Sequence, residues 1–157
     1  MNTTPAVTRA GFGLSLKGRA LRLLAAREHS RGELERKLSA HEETPGQLAQ
    51  VLDELHAKDF ISEARVVESV LNRRAGRFGA ARIKHELQHK GLSAEAVAGA
   101  VSSLKASELE RARDIWRKKF DGPALDAAGR ARQMRFLAAR GFGGEVVRRV
   151  VSQSEDD

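Results

Sequence analysis

Apolar residues recur along most of the chain at spacings of three and four, the period of an amphipathic helix. The pattern predicts nine helices, at about 16–28, 31–41, 45–57, 63–75, 80–90, 94–104, 107–120, 126–140 and 144–152. The 157 residues include no Tyr, one Trp and three Pro, so the β-branched and aromatic character of sheet proteins is missing. We therefore expect an all-α protein.

The helical pattern repeats itself after 49 and then 50 residues. Aligning Leu38, Leu87 and Leu137 brings two further columns of apolar residues into register, Leu48 with Val97 and Val147, and Leu52 with Val101 and Val151. A fixed period of this length is typical of an array of structural repeats. We expect an elongated array of three tandem three-helix repeats. The predicted segments are an N-terminal tail at 1–14, repeats at 15–60, 61–105 and 106–153, and an acidic tail at 154–157.

Short polar motifs predict where several helices begin. Ser30-x-x-Glu33 and Ser107-x-x-Glu110 have the form of capping boxes, in which the serine accepts a bond from the first helical turn. Pro45, after Thr44, suits the first position of a helix. These motifs place helix starts after Ser30, Thr44 and Ser107.

Glycine predicts the ends of two helices. Gly91 and Gly141 can take the left-handed conformation that closes a Schellman ending, and each precedes an apolar residue that can pack back onto its helix. In the first repeat, Glu42 and Glu43 occupy the corresponding positions. The second helix of that repeat must therefore end differently or fray.

Charge is unevenly distributed along this basic chain, whose net charge is +7 and pI about 10.4. From Glu33 to Glu63, eight acids stand against three bases, a net charge of −5. From Arg73 to Lys90 the net charge is +5, and from Arg130 to Arg149 it is +5 again. The basic regions favour a polyanionic partner.

The sequence offers one motif that suggests chemistry, His85-Glu86-Leu87-Gln88-His89, which matches the zinc-binding pattern H-E-x-x-H. Leu87 lies in the repeated core column, so the two histidines should face solvent. A third ligand at the usual spacing is absent, because Glu95 stands there. There is no Cys and no phosphate-binding Gly-Lys-Ser/Thr loop. We expect a protein that is not an enzyme and needs no metal or cofactor.

Nothing in the sequence indicates export or membrane insertion. The N-terminus lacks a cationic segment followed by an apolar one, and no run approaches the roughly 18 to 20 apolar residues of a membrane span. We expect a soluble, cytoplasmic protein.

Three segments resemble the RecX family, bacterial regulators of the RecA recombinase. They are ALRLLAAREHSRGELERKL at 20–38, GAARIKHELQHKG at 79–91, and KKF at 118–120 followed by FLAARGF at 136–142. They occur in the family's order, and the likeness spans about 15–151. One departure is ISEAR at 61–65, where an Asp is expected near 62 or 63 and a Phe in place of Val66.

The resemblance implies a curved molecule that binds in the groove of the RecA–DNA filament across neighbouring protomers. Members of the family restrain filament growth, ATP hydrolysis, strand exchange and co-protease activity, and so act in DNA repair and the SOS response. We expect a monomer whose partners are the RecA filament and DNA, single- or double-stranded. The alternative is a helix-turn-helix-like DNA-binding protein that acts without RecA.

Two groups of cations are the candidate filament- or DNA-binding residues. The first group is Arg73, Arg74, Arg77, Arg82, Lys84 and Lys90; the second is Lys118, Lys119, Arg130, Arg132, Arg135 and Arg140. The aromatic residues, Phe60, Phe78, Trp116, Phe120, Phe136 and Phe142, lie in or beside apolar helical patterns and are expected in the core. Cations without exposed aromatics favour sequence-independent contacts with phosphate or with acidic protein surface.

Overall fold

The computed structural model describes residues 13–153, which form helices and contain no strand. The predicted tails at 1–12 and 154–157 lie outside these residues. The α-helices are α1 (Leu16–Ala26), α2 (Arg31–Leu38), α3 (Gln47–Ala57), α4 (Glu63–Arg74), α5 (Ala80–His89), α6 (Ala94–Ala106), α7 (Glu108–Lys119), α8 (Ala127–Ala139) and α9 (Gly144–Gln153). The all-α prediction and the three groups of three helices are confirmed, whereas the repeat boundaries stay predictions.

The chain divides into two compact units between Val66 and Val67. The first unit has its own apolar core, formed by α1, α2, α3 and the following turn. The core side chains are Leu16, Ala20, Leu34, Leu38, Leu48, Leu52, Leu55 and Ile61. Among the described residues, no helix is long and apolar enough to cross a membrane.

The two termini of α2 and the start of α3 test the helix boundaries that local motifs predict. The capping box of Ser30 and Glu33 is confirmed. As expected, α2 ends without a glycine, through a 3-10 turn at Ser39–His41. The helix start predicted at Pro45 is wrong, because Gly46 takes a left-handed conformation with φ of 85° and α3 begins after it.

The second unit contains α5 to α9 and most of α4. Leu87 and Leu137 are fully buried, which confirms the repeated core column. Gly91 and Gly141 have φ of 75° and 90°, as the helix endings require. The N–H of Phe142 donates to the Leu137 carbonyl at 3.3 Å, which completes the Schellman motif of α8.

The capping box predicted at Ser107 is wrong. Ser107 is only a one-residue break between α6 and α7, and its side chain caps no N–H group. Its hydroxyl instead donates to the Leu104 carbonyl and accepts a bond from Arg111. At the start of α4, Ser62 caps the N–H of Arg65 at 3.2 Å, so the missing Asp is replaced locally.

Candidate nucleic-acid interface

Four arginines surround the ring of Phe78, in the loop between α4 and α5. The guanidinium carbons of Arg74, Arg77, Arg82 and Arg140 lie 5.6, 5.5, 4.2 and 5.8 Å from the ring centroid. An aromatic face attracts cations at these distances. We call these five residues the Phe78 cluster.

Little negative charge balances the Phe78 cluster. Nε of Arg74 lies 3.4 Å from Oε2 of Glu86, and Arg74 is half-buried. Within residues 13–153, no carboxylate forms an ion pair with Arg77, Arg82 or Arg140. Guanidinium groups stay charged at every physiological pH, so the cluster carries a surplus of positive charge.

Arg111 anchors the loop that carries Arg77 and Phe78. Its guanidinium donates to the carbonyls of Ala75 and Phe78 at 2.8 and 2.7 Å, and to that of Leu104 at 2.8 Å. Burial lowers the pKa of Arg111, but the guanidinium remains protonated near neutral pH. The loop is therefore held by charge-assisted hydrogen bonds to its backbone.

The start of α5 lies directly on the end of α8. The N–H of Gly79 donates to the Arg140 carbonyl at 2.8 Å, and that of Ala81 to the Gly141 carbonyl at 3.3 Å. A Cβ on Gly79 would lie 2.4 Å from the backbone of Gly141. Glycine is thus required where the second and third repeats meet.

Buried Glu108 supports the same junction. Its Oε1 accepts hydrogen bonds from the N–H groups of Ala80, at 3.4 Å, and Gly143, at 3.3 Å. These groups lie at the starts of α5 and α9, where backbone N–H groups lack helical partners. One carboxylate therefore joins elements of both repeats.

Arg140 extends the basic surface into the third repeat. Its guanidinium carbon lies 5.0 Å from the Phe136 centroid, and Nζ of Lys119 lies 5.5 Å from the same ring. Cations and rings consequently alternate across the junction in the order Arg82, Phe78, Arg140, Phe136 and Lys119. We call this arrangement the cation–ring row.

The structure joins parts of the two predicted basic groups and separates the rest. Arg77, Lys118, Lys119 and Arg140 line one cavity, so members of both groups share a surface. Lys84 lines a separate groove between α5 and α6, and Arg132 lines a cavity beside the loop before α8. The six remaining predicted cations do not line these cavities; they are Arg74 and Arg82 of the Phe78 cluster, and Arg73, Lys90, Arg130 and Arg135.

The aromatic expectations were partly wrong. Trp116 and Phe142 are buried as expected, but Phe60 is 47% exposed. Phe60 follows Asp59, whose φ of 65° turns the chain at the end of α3. Phe78 is only half-buried, with four arginines around its ring. The only local signal was its position beside Arg77 in the Gly-flanked segment at 76–79.

The structure confirms that His85 and His89 face solvent, since both side chains are exposed. Across the part of the chain that the structure describes, no three His, Asp or Glu side chains are grouped to hold a metal ion. Sequence reasoning missed Arg111 and Glu108, whose long-range partners lie in the loop before α5, at the start of α5 and just before α9.

Three family models match successive parts of the chain. They describe the first, second and third three-helix domains of RecX, and they match residues 17–55, 62–101 and 106–151. These matches follow the order of the three helical groups in the structure.

Whole-chain relatives and solved structures agree with the family models. Regulatory protein RecX of Leptothrix cholodnii is 54% identical, with 92% of each chain covered. That of Herminiimonas arsenicoxydans is 44% identical, with 94% of this chain and 98% of the relative covered. A crystal structure of RecX from Lactobacillus salivarius has a similar fold, with a TM-score of 0.77, 17% identity, and 90% of this chain and 96% of that chain covered. On the family models and the relatives together, the chain belongs to the RecX family.

Proposed function

We propose that this protein is a non-catalytic regulator that binds the RecA–DNA filament and restrains its ATP hydrolysis, strand exchange and co-protease activity. Its relatives are named regulatory proteins. It would act by occupying the filament, in DNA repair and the SOS response, without a metal or cofactor of its own. The proposed contact surface comprises the two basic groups, with the junction of the second and third repeats at its centre.

The observation that carries this proposal is the surplus positive charge at that junction. Apart from Arg74, which pairs with Glu86, the cations of the Phe78 cluster and Lys119 contact rings and backbone carbonyls, which do not neutralise them. DNA carries one negative charge per about 1.7 Å of duplex, so such a surface gains affinity by releasing counterions. A filament built on DNA is a partner of suitable charge.

A second candidate is a DNA-binding protein that acts alone. Three short helices per repeat resemble helix-turn-helix modules, which read base edges in the major groove. Sequence reading requires side chains that reach base edges, whereas phosphate contacts carry no sequence information. The cations of the cation–ring row suit phosphate contacts, which favours the filament regulator.

The test compares one protein preparation on two immobilised targets, RecA filaments on single-stranded DNA and the same DNA without RecA. We expect stronger retention on the filament, together with a dose-dependent fall in the DNA-dependent ATP hydrolysis of RecA. A duplex panel of varied sequence covers the rival function. Tight, sequence-selective duplex binding with unchanged ATP hydrolysis would replace our proposal by the second candidate.

A further inference from the structure

A cavity of about 340 Å³ opens beside the cation–ring row. Four cations line it, Arg77 from the loop before α5, Lys118 and Lys119 from the end of α7, and Arg140 from the end of α8. The other lining residues are Gly76, Ile115 and Phe136, so no acidic side chain takes part. We propose that this cavity binds the phosphodiester backbone of DNA directly, an inference that rests on the proposed function and assigns the DNA contact within it.

The charges of the cavity are not compensated by the protein. Within residues 13–153, none of its four cations forms an ion pair with a carboxylate. Their neighbours are instead the rings of Phe78 and Phe136, and the carbonyl of Arg77, which accepts a bond from Nη1 of Arg140 at 3.2 Å. A phosphate group would supply the missing negative charge and accept the hydrogen bonds that these donors retain.

The cavity is also held in shape before any ligand arrives. Arg111 fixes the carbonyls of Ala75 and Phe78 on either side of Arg77. The backbone bond from Gly79 to the Arg140 carbonyl fixes the opposite wall. A pre-organised site loses less conformational entropy on binding than free lysines and arginines on a helix surface.

Phosphate, rather than a base, is the group that fits. Phe136 is the cavity's only aromatic residue, and Lys119 and Arg140 already stand over its ring, while Phe120 meets it edge-on at 5.4 Å. A base would have to displace these cations in order to stack. Binding through this cavity should therefore depend little on base sequence, unlike binding to an aromatic stacking platform.

The experiment measures binding of the purified protein, without RecA, to fluorescent single-stranded oligonucleotides as salt is varied. The test variant is Arg77→Gln, Lys118→Gln, Lys119→Gln, which spares Arg140 and its backbone contact. The matched control is Arg22→Gln, Arg148→Gln, Arg149→Gln, which replaces three exposed cations outside the cavity. Both variants therefore lower the net charge of +7 by the same amount. Circular dichroism verifies that both variants are folded.

We expect the test variant to bind at least about tenfold more weakly at low salt, with a log–log salt slope smaller by roughly 2, since each lost phosphate contact on a single strand removes about 0.7. The control should stay near wild type, and oligo-dT and oligo-dA of equal length should bind alike. Equal losses in the two variants would overturn the inference, because the effect would then follow net charge alone.

A competition arm separates DNA backbone from small phosphates. Inorganic pyrophosphate should displace the oligonucleotide only at concentrations that screen charge generally. Displacement at micromolar pyrophosphate, lost in the test variant, would overturn the assignment to DNA in favour of a small phosphate ligand. If the test variant binds DNA like wild type while wild type still inhibits RecA, the inference fails and the proposed function stands.

Discussion

The two compact units handle their positive charges in different ways. In the first unit, most of the cations with known contacts hold carboxylates: the pairs are Lys17–Glu54, Lys58–Glu54, Arg27–Glu33, Arg31–Glu35, Arg31–Asp53, Arg65–Glu28 and Arg65–Asp59. In the second unit, the cations at the junction of its repeats hold rings and carbonyls instead. The first unit thus pairs most of these cations with carboxylates, whereas at the junction in the second unit Arg77, Arg82, Arg140 and Lys119 form no ion pair within residues 13–153.

The difference shows that the number of cations does not by itself make a binding surface. A carboxylate at 2.6 to 3.2 Å cancels most of the field of its partner, whereas an aromatic ring holds a cation without cancelling its charge. The second unit can therefore offer its charge to a polyanion. The first unit gains modest stability from its pairs but little attraction for DNA.

The apolar cores should behave alike in the two units, in contrast to their charges. Leu38 and Leu87 occupy the same column of the repeat and are both buried. Truncation to Ala removes packing and leaves a cavity, so Leu38→Ala and Leu87→Ala should each cost roughly 2–5 kcal/mol. Chemical denaturation followed by circular dichroism measures the loss. An unchanged unfolding curve for either variant would show that its core column is misplaced.

The backbone contact between the second and third repeats should make Gly79 sensitive to a single methyl group. Gly79→Ala forces Cβ against the backbone of Gly141, which should cost about 1–3 kcal/mol. Gly76→Ala is the matched control in the same loop, since a Cβ there meets nothing within 4 Å. The fluorescence of Trp116, which is buried in the second unit, reports unfolding and so measures the stability of each variant. Equal stability of the two variants would contradict the close junction.

The first unit should weaken in mild acid because of His29. This buried histidine donates from Nδ1 to the Arg27 carbonyl at 3.0 Å, and its Nε2 accepts from Nζ of Lys37 at 3.1 Å, so the neutral ring is the form that fits. Burial is the main cause that lowers the pKa of His29 below 6.5, and Arg27 and Lys37 lower it further. The hydrogen bond to the Arg27 carbonyl, which is the second-largest effect, and nearby Glu33, which is the smallest, raise the pKa.

The sign of the pH effect follows from that lowered pKa. As pH falls below 6.5, the unfolded chain takes up a proton before the folded one, so the stabilisation is complete above 6.5 and is lost as pH falls through the folded pKa. We expect the loss of stability in mild acid to vanish in His29→Gln and to persist in His56→Gln, which replaces an exposed histidine of the same unit. If the loss of stability persisted in His29→Gln, groups other than His29 would cause it.

The smallest expected effect is a titration at the surface of the first unit. The carboxylate of Glu54 accepts hydrogen bonds from Lys17, at 2.6 Å, and from Lys58, at 3.0 Å. These bonds lower the pKa of Glu54 from 4.5 to about 2. In Lys17→Met, the carboxyl pKa measured by nuclear magnetic resonance should rise towards 4.5. The exposed pair should add little to stability, since such pairs are screened by salt. A Glu54 pKa near 4.5 in the wild type would contradict the ion pair between Lys17 and Glu54.

The helices could be predicted from the sequence because the periodic spacing of apolar residues and the glycines that end helices are local signals. Leu87 and Gly141 lie where the pattern placed them. The Phe78 cluster could not be predicted, because Arg140 comes from the following repeat and reaches Phe78 only through the backbone contact between the start of α5 and the turn after α8. The capping box predicted at Ser107 does not form because the backbone of Ser107, with φ of −112° and ψ of 5°, is not extended as an N-cap residue usually is, and its hydroxyl is bound to Leu104 and Arg111.

The central claim is that uncompensated cations at the junction of the second and third repeats restrain the RecA filament. The most direct measurement is RecA ATP hydrolysis on single-stranded DNA against added wild type, Arg77→Gln, Lys118→Gln, Lys119→Gln, and the control Arg22→Gln, Arg148→Gln, Arg149→Gln. We predict that wild type and control inhibit at similar concentrations, whereas the cavity variant, although folded, requires at least about tenfold more protein. Inhibition by the cavity variant at wild-type concentrations would contradict the account.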